Sequence, residues 1–180
     1  MSTQPEQVPM SAPDIDESDV TAVVEVLRSG RLSLGPAQER FEELLARYCG
    51  VKHAVAASSG TAALHLLVRA MGIGPGDEVL VPSFTFAASV NCILYEGAVP
   101  VFVDIEPETY NLDPVDLERR ITPRTRAIVA VDCFGHPAAW DEIERIAREH
   151  DLRVIDDSCE ALGARYRGRM IGSFGDAAAF

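Results

Sequence analysis

Apolar residues recur at three- and four-residue intervals in two stretches early in the chain. After residue 53 they gather instead into short unbroken runs. The spacing predicts a helix over residues 16–29, stopped by Gly30, and a second opened by Pro36 with Phe41, Leu44, Leu45 and Tyr48 on one face. Between them lies a loop bounded by Gly30 and Gly35. The later runs, 53–57, 78–81, 99–103, 127–131 and 153–155, read as strands. Helical patterns fill 61–71, 85–95, 114–121 and 139–150 between them. Strands without polar alternation must be buried on both faces, so the expected fold is α/β. A largely parallel sheet is covered by helices on either side, in three α/β/α layers.

Polar residues close each predicted strand: Ser58 and Ser59, Ser83 and Thr85, Asp104, Asp132, then Asp156, Asp157 and Ser158. Any one of these suits a helix cap. Five on the same edge of an open parallel sheet describe a ligand crevice, which such sheets form at the carboxyl ends of their strands.

Charge narrows what the ligand can be. A net charge of −12 argues against nucleic acid or an anionic membrane as partner, while leaving room for a local spot that holds one phosphate. Cys49, Cys92, Cys133 and Cys159 are widely spaced, and His53, His65, His136 and His150 show no ligand spacing. No metal is expected. The first thirteen residues lack the apolar core of a signal peptide, and no apolar run approaches the ~20 residues that span a bilayer, so the expected location is cytoplasmic. Lys52 is the sole lysine.

Three places carry candidate chemistry. Ser58-Ser59-Gly60-Thr61 joins a predicted strand to a helix, where free N–H groups and a side-chain-free Gly60 suit an anion; an ordinary Ser/Thr cap is the competing reading. Asp157 ends the apolar run LRVIDD, and a carboxylate there needs a cation or several donors; alternation turns Asp156 the other way. Phe86 opens a helix at the same edge and can stack on a flat ring, or simply pack in the core.

The strings SSGTAALHL, VLVPSFTFAASVNCILYEGAVPVFVDI, NLDP, DCFGHP and VIDDSCEALGARYRGRMIGSFGDAAAF resemble the DegT/StrS nucleotide-sugar aminotransferases, from about Pro13 to Phe180. That resemblance implies the large domain of an aspartate-aminotransferase-like fold, with pyridoxal 5'-phosphate (PLP) as cofactor. It implies that Gly60 and Thr61 bind the cofactor phosphate, that Phe86 stacks on the pyridine ring, and that Asp157 pairs with the ring nitrogen. Glu160 falls where many members carry glutamine or histidine near the phenolic oxygen. A carboxylate there repels a phenolate unless one of them holds a proton. The 30–35 loop, with Leu32 and Ser33, resembles a segment that helps bind the sugar nucleotide. The implied reaction is amination of a keto-sugar on a nucleoside diphosphate, with glutamate as amino donor, in a homodimeric enzyme of amino-sugar biosynthesis.

The Schiff-base lysine of that family lies shortly beyond Phe180. Lys52 is no substitute: a strand of about five residues would hold it ~16 Å from the ligand edge. The expectation is therefore an inactive fragment with no catalytic residue of its own. It comprises a helix-and-loop segment (1–35) and a PLP-binding domain (36–180), and lacks the small C-terminal domain. Two alternatives stay open: a sugar dehydratase of the same family with histidine for lysine, and a non-catalytic dimerising paralogue. A dinucleotide-binding domain is the weaker rival, since no G-x-G-x-x-G follows the first predicted strand.

Overall fold

The computed structural model describes residues 12–180; the first eleven, most of the polar opening segment, lie outside the described residues. The chain divides into two compact units, one ending at Phe41 and one spanning Glu42–Phe180.

In the first unit, α1 (Glu17–Ser29) starts at a capping box. The Asp16 carboxylate accepts from Ser18 N and Asp19 N, and Asp19 accepts from Asp16 N at 3.0 Å. Gly30 ends it in the left-handed conformation, φ 68°. Helix α2 (Pro36–Cys49) begins in this unit, at the proline the sequence pointed to, and ends in the second, where Ala46 and Cys49 are buried.

The second unit holds α3 (Gly60–Ala70), β1 (Glu78–Pro82), α4 (Ala87–Tyr95), β2 (Val99–Val103), α5 (Pro114–Arg119) and β3 (Thr125–Val131). A 3-10 turn (Cys133–Gly135), α6 (Trp140–His150) and β4 (Arg153–Asp157) follow. A small antiparallel pair, β5 (Arg165–Tyr166) and β6 (Arg169–Met170), precedes β7 (Ala177–Ala179). Five strands form a wholly parallel sheet in the order β2-β1-β3-β4-β7, so all their carboxyl ends share one edge.

Strand alternation sends side chains into two cores. Leu80, Ile128, Ala130 and Val154 meet Leu117 of α5 and Trp140, Ile143 and Ile146 of α6. Val79, Val81, Ala127, Val129 and Ile155 meet Leu64 and Val68 of α3 and Ala88, Cys92 and Ile93 of α4. Helices therefore cover both faces, as the unbroken apolar runs require. Each fully buried Leu, Ile or Val contributes about 1.5–3 kcal/mol of transfer free energy.

One predicted strand is corrected. Residues 53–57 are irregular and join no strand. Val55 is 83% exposed, and the Ala56 N–H donates to the Glu42 carboxylate at 2.8 Å. An apolar run becomes a strand only when a neighbour satisfies its backbone, and here a side chain takes that part. Ser58 and Ser59 consequently follow a loop, not a strand end. The closing AAA run, β7, pairs with β4 through Ile155–Ala177 and Asp157–Ala179.

Candidate functional site

Asp157 is the last residue of β4 and 6% exposed. Its carboxylate accepts from Ser89 Oγ at 2.6 Å, and Ser89 Oγ in turn lies 2.7 Å from Thr85 Oγ1. Cys159 N approaches its other oxygen at 3.4 Å. These donors are neutral, and among the described residues no Lys, Arg or His stands within ion-pair range of Asp157. A nearly buried carboxylate with only neutral donors is electrostatically suited to a cation that the protein itself does not supply.

The phosphate-type turn lies on the same edge. Ser59 caps α3 by accepting from Ala62 N at 3.1 Å, which leaves the first-turn N–H groups of Gly60 and Thr61 without an acceptor in the helix. A Cβ on Gly60 would come within 2.6 Å of Cys159 Sγ and 3.4 Å of Phe180 O. Gly60 is therefore packed against the loop that directly follows Asp157. Gly60→Ala is expected to cost about 1–3 kcal/mol by overpacking, with most of the loss recovered in the Gly60→Ala/Cys159→Ala double variant. Urea unfolding of the three chains checks this.

Phe86 sits at the N-terminus of α4, one turn before Ser89, and is 78% exposed; its carbonyl accepts from Ser89 N at 3.1 Å. It is therefore no core residue, which removes the bland reading of that side chain. Glu160 is exposed, and its carboxylate accepts from Phe134 N at 2.8 Å across the 3-10 turn, where Phe134 has φ 53°. Gly60, Thr61, Phe86, Asp157 and Glu160 thus come from one sheet edge and its adjoining loops. Leu32 and Ser33 belong to the first unit, in the exposed loop between α1 and α2. Lys52 is exposed, and because residues 53–57 form no strand, the strand length that was to hold it away from the ligand edge is absent.

Asp156 faces away from Asp157, as strand alternation demands. It is fully buried with Asp132 and Ser158. Burial first, then the Asp132 charge, pushes its carboxyl up to about 8, and burial likewise raises Asp132. The Cys159 thiol is pushed up to about 12 by burial and the Asp157 charge, so it stays protonated at neutral pH.

Sequence reasoning passed over two residues. Ser89 was legible only as the residue four positions after Thr85, one helical turn on. Buried Asn111 lay inside the NLDP string; its amide donates to His136 O and accepts from Cys133 N, both at 2.9 Å. Among the described residues no helix is long and apolar enough to cross a membrane, and no cluster of three His, Cys, Asp or Glu could hold a metal ion.

This three-layer parallel α/β domain gathers a buried carboxylate and a capped helix N-terminus at one strand edge, the place where open parallel sheets form their ligand crevice. Comparison with known proteins goes further. The DegT/DnrJ/EryC1/StrS aminotransferase family matches residues 13–180. GDP-perosamine synthase of Caulobacter vibrioides is 49% identical over 175 residues, covering 97% of this chain and 47% of that protein. Streptomyces venezuelae DesV, solved in complex with a ketimine intermediate, superposes with a TM-score of 0.84 at 48% identity, over 85% of this chain and 41% of that one. Spr1654 of Streptococcus pneumoniae, solved in PLP and PMP forms, gives a TM-score of 0.91 at 36% identity, over 95% of this chain and 47% of its own. This chain belongs to the DegT/DnrJ/EryC1/StrS aminotransferase family. It spans about half the length of the curated relatives it matches.

Proposed function

We propose that this chain is the cofactor-binding part of a PLP-dependent aminotransferase acting on a keto-sugar carried by a nucleoside diphosphate. The observation that carries the reading is Asp157: buried, bonded only to neutral donors, and on the same edge as the Gly60 turn. When bound, PLP supplies an electron-withdrawing ring through which an amino group is exchanged. The N–H groups of Gly60 and Thr61 would hold the phosphate, and Phe86 would pack on the ring. Asp157, oriented by Ser89, would keep the ring nitrogen protonated. Glu160 acts through the Phe134 N–H and so sets the 3-10 turn at the rim. Leu32 and Ser33 are assigned to the sugar nucleotide, and glutamate is the amino donor.

The relatives support the substrate class: one is named a GDP-perosamine synthase, another a dTDP-3-amino-3,4,6-trideoxy-alpha-D-glucose transaminase. The working enzyme on this reading is a cytoplasmic homodimer.

Titration of the chain with PLP, followed by absorbance and by quenching of Trp140 fluorescence, tests the reading; saturable binding is expected, and its absence overturns it. Borohydride treatment at stoichiometric PLP is expected to label Lys52, the sole lysine and solvent-exposed, only to the extent of an ordinary surface amine, and equally in Asp157→Asn. Peptide mass mapping decides this, and saturable labelling of Lys52 that Asp157→Asn abolishes would refute the assignment of Lys52 as a surface cation.

A further inference from the structure

Beneath β4, on the face opposite Asp157, lies a polar cluster that the cofactor reading leaves unused. Asp132, Asp156 and Ser158 are each 0% exposed. Ser158 Oγ lies 3.3 Å from Asp132 Oδ2 and in closer hydrogen-bonding contact with Asp156 Oδ1. Asp132 Oδ1 also accepts from Ala138 N at 2.7 Å and Trp140 Nε1 at 3.0 Å, and Asp156 Oδ2 accepts from Gly172 N at 3.0 Å. Every one of these donors is neutral.

A hydrogen count decides what this arrangement means. The Ser158 hydroxyl carries one hydrogen but touches two carboxyl groups. If both were ionised, one of its two contacts would set lone pair against lone pair in a site closed to bulk solvent, beside a second buried negative charge. A proton on either carboxyl completes both contacts. We propose that Asp132 and Asp156 share a single proton through the Ser158 hydroxyl, and that this protonated pair is a positioning device that clamps the ends of β3 and β4, and so Asp157, in place.

The groups around the pair agree. Asp157 stands on the far face of β4, while Cys159 follows in the loop and Cys49 approaches from α2. Both thiols are raised by burial and, among lesser causes, by the Asp156 charge, so they add no second negative charge, and a thiol has no cationic form to compensate the pair. Trp140 from α6 and Gly172 complete the surroundings as neutral donors. Asp132 N also donates to Asp157 O at 3.2 Å, which links the pair's backbone directly to the candidate cofactor residue.

The sign of the pH dependence follows from linkage. The folded pair keeps a proton up to about pH 8, whereas an unfolded aspartate loses it near 3.8. This contribution to stability is full below the unfolded value and declines as pH rises toward the folded one.

The test uses the chain itself, in two measurements. Infrared spectra at pH 6.5 are expected to show the carbonyl band of a buried protonated carboxyl group, lost at pH 10 and lost in Asp156→Asn. Asparagine also has the hydrogen that Ser158 lacks. Asp156→Asn is therefore expected to melt about 3–6 °C above the parent chain at pH 8.5, and to flatten the fall in melting temperature between pH 5 and 9. Slowed amide exchange at Gly172 and Ser158 above pH 8 in that variant supports the clamp. No carboxyl band in the parent chain at pH 6.5, or a melting profile of Asp156→Asn parallel to the parent's, overturns the proposal. This inference stands on the pair alone, so loss of PLP binding would leave it intact.

Discussion

Trp140→Ala is expected to destabilise the chain by about 3–5 kcal/mol. Trp140 is fully buried, stacks on Phe174 with ring centroids 5.0 Å apart, and donates through Nε1 to Asp132. Truncation opens a cavity between α6 and the sheet and removes a donor from a buried carboxyl group, so two penalties add. Trp140→Phe separates them. It keeps most of the packing, and because Asp132 Oδ1 still accepts from Ala138 N, its cost is expected to be nearer that of one lost hydrogen bond, about 0.5–1.5 kcal/mol. Urea midpoints for the three chains check this. A loss under 1 kcal/mol for the alanine variant would show that the α6 core is far looser than its burial implies.

Asp157→Asn is the second large effect, and it moves two quantities in opposite directions. Asparagine preserves the acceptor for Ser89 Oγ but removes the charge. PLP affinity is expected to fall about 10–100-fold, the value of a charge-assisted hydrogen bond of about 1.5–3 kcal/mol. The cofactor-free chain should melt no lower, and higher if anything, because an uncompensated buried charge has gone. Parallel PLP titration and thermal melts give both numbers. Unchanged affinity would remove Asp157 from the site.

Much of this architecture could be read from residue pattern alone, for reasons visible in particular elements. Strand β3 is apolar on both sides because both faces are covered, and Pro36 and Gly30 mark helix ends because their backbones suit those positions. Asp157 was legible as a carboxylate closing an apolar run. What failed was partnership at a distance. Residues 53–57 look like β1 in composition, but a strand is made by its neighbour, which the local pattern does not record. Ser89 sits among apolar residues of α4, and its partner is 68 positions away. The same blindness hid the Asp132–Asp156 contact: each aspartate was visible as a strand end, while their meeting beneath the sheet depends on the β3–β4 register.

Asn111 has a mechanical consequence. Its amide ties the excursion after β2 to the turn after β3, and it stands between Tyr110 and Phe134's turn, two non-glycine positions with φ of 62° and 53°. Neither excursion can swing outward alone, because opening one would strip a buried amide of its partners. Moving either one costs the pairing of a buried amide, so the two excursions are coupled. On the proposed function, a substrate reaching that side of the crevice would meet an outline set before arrival.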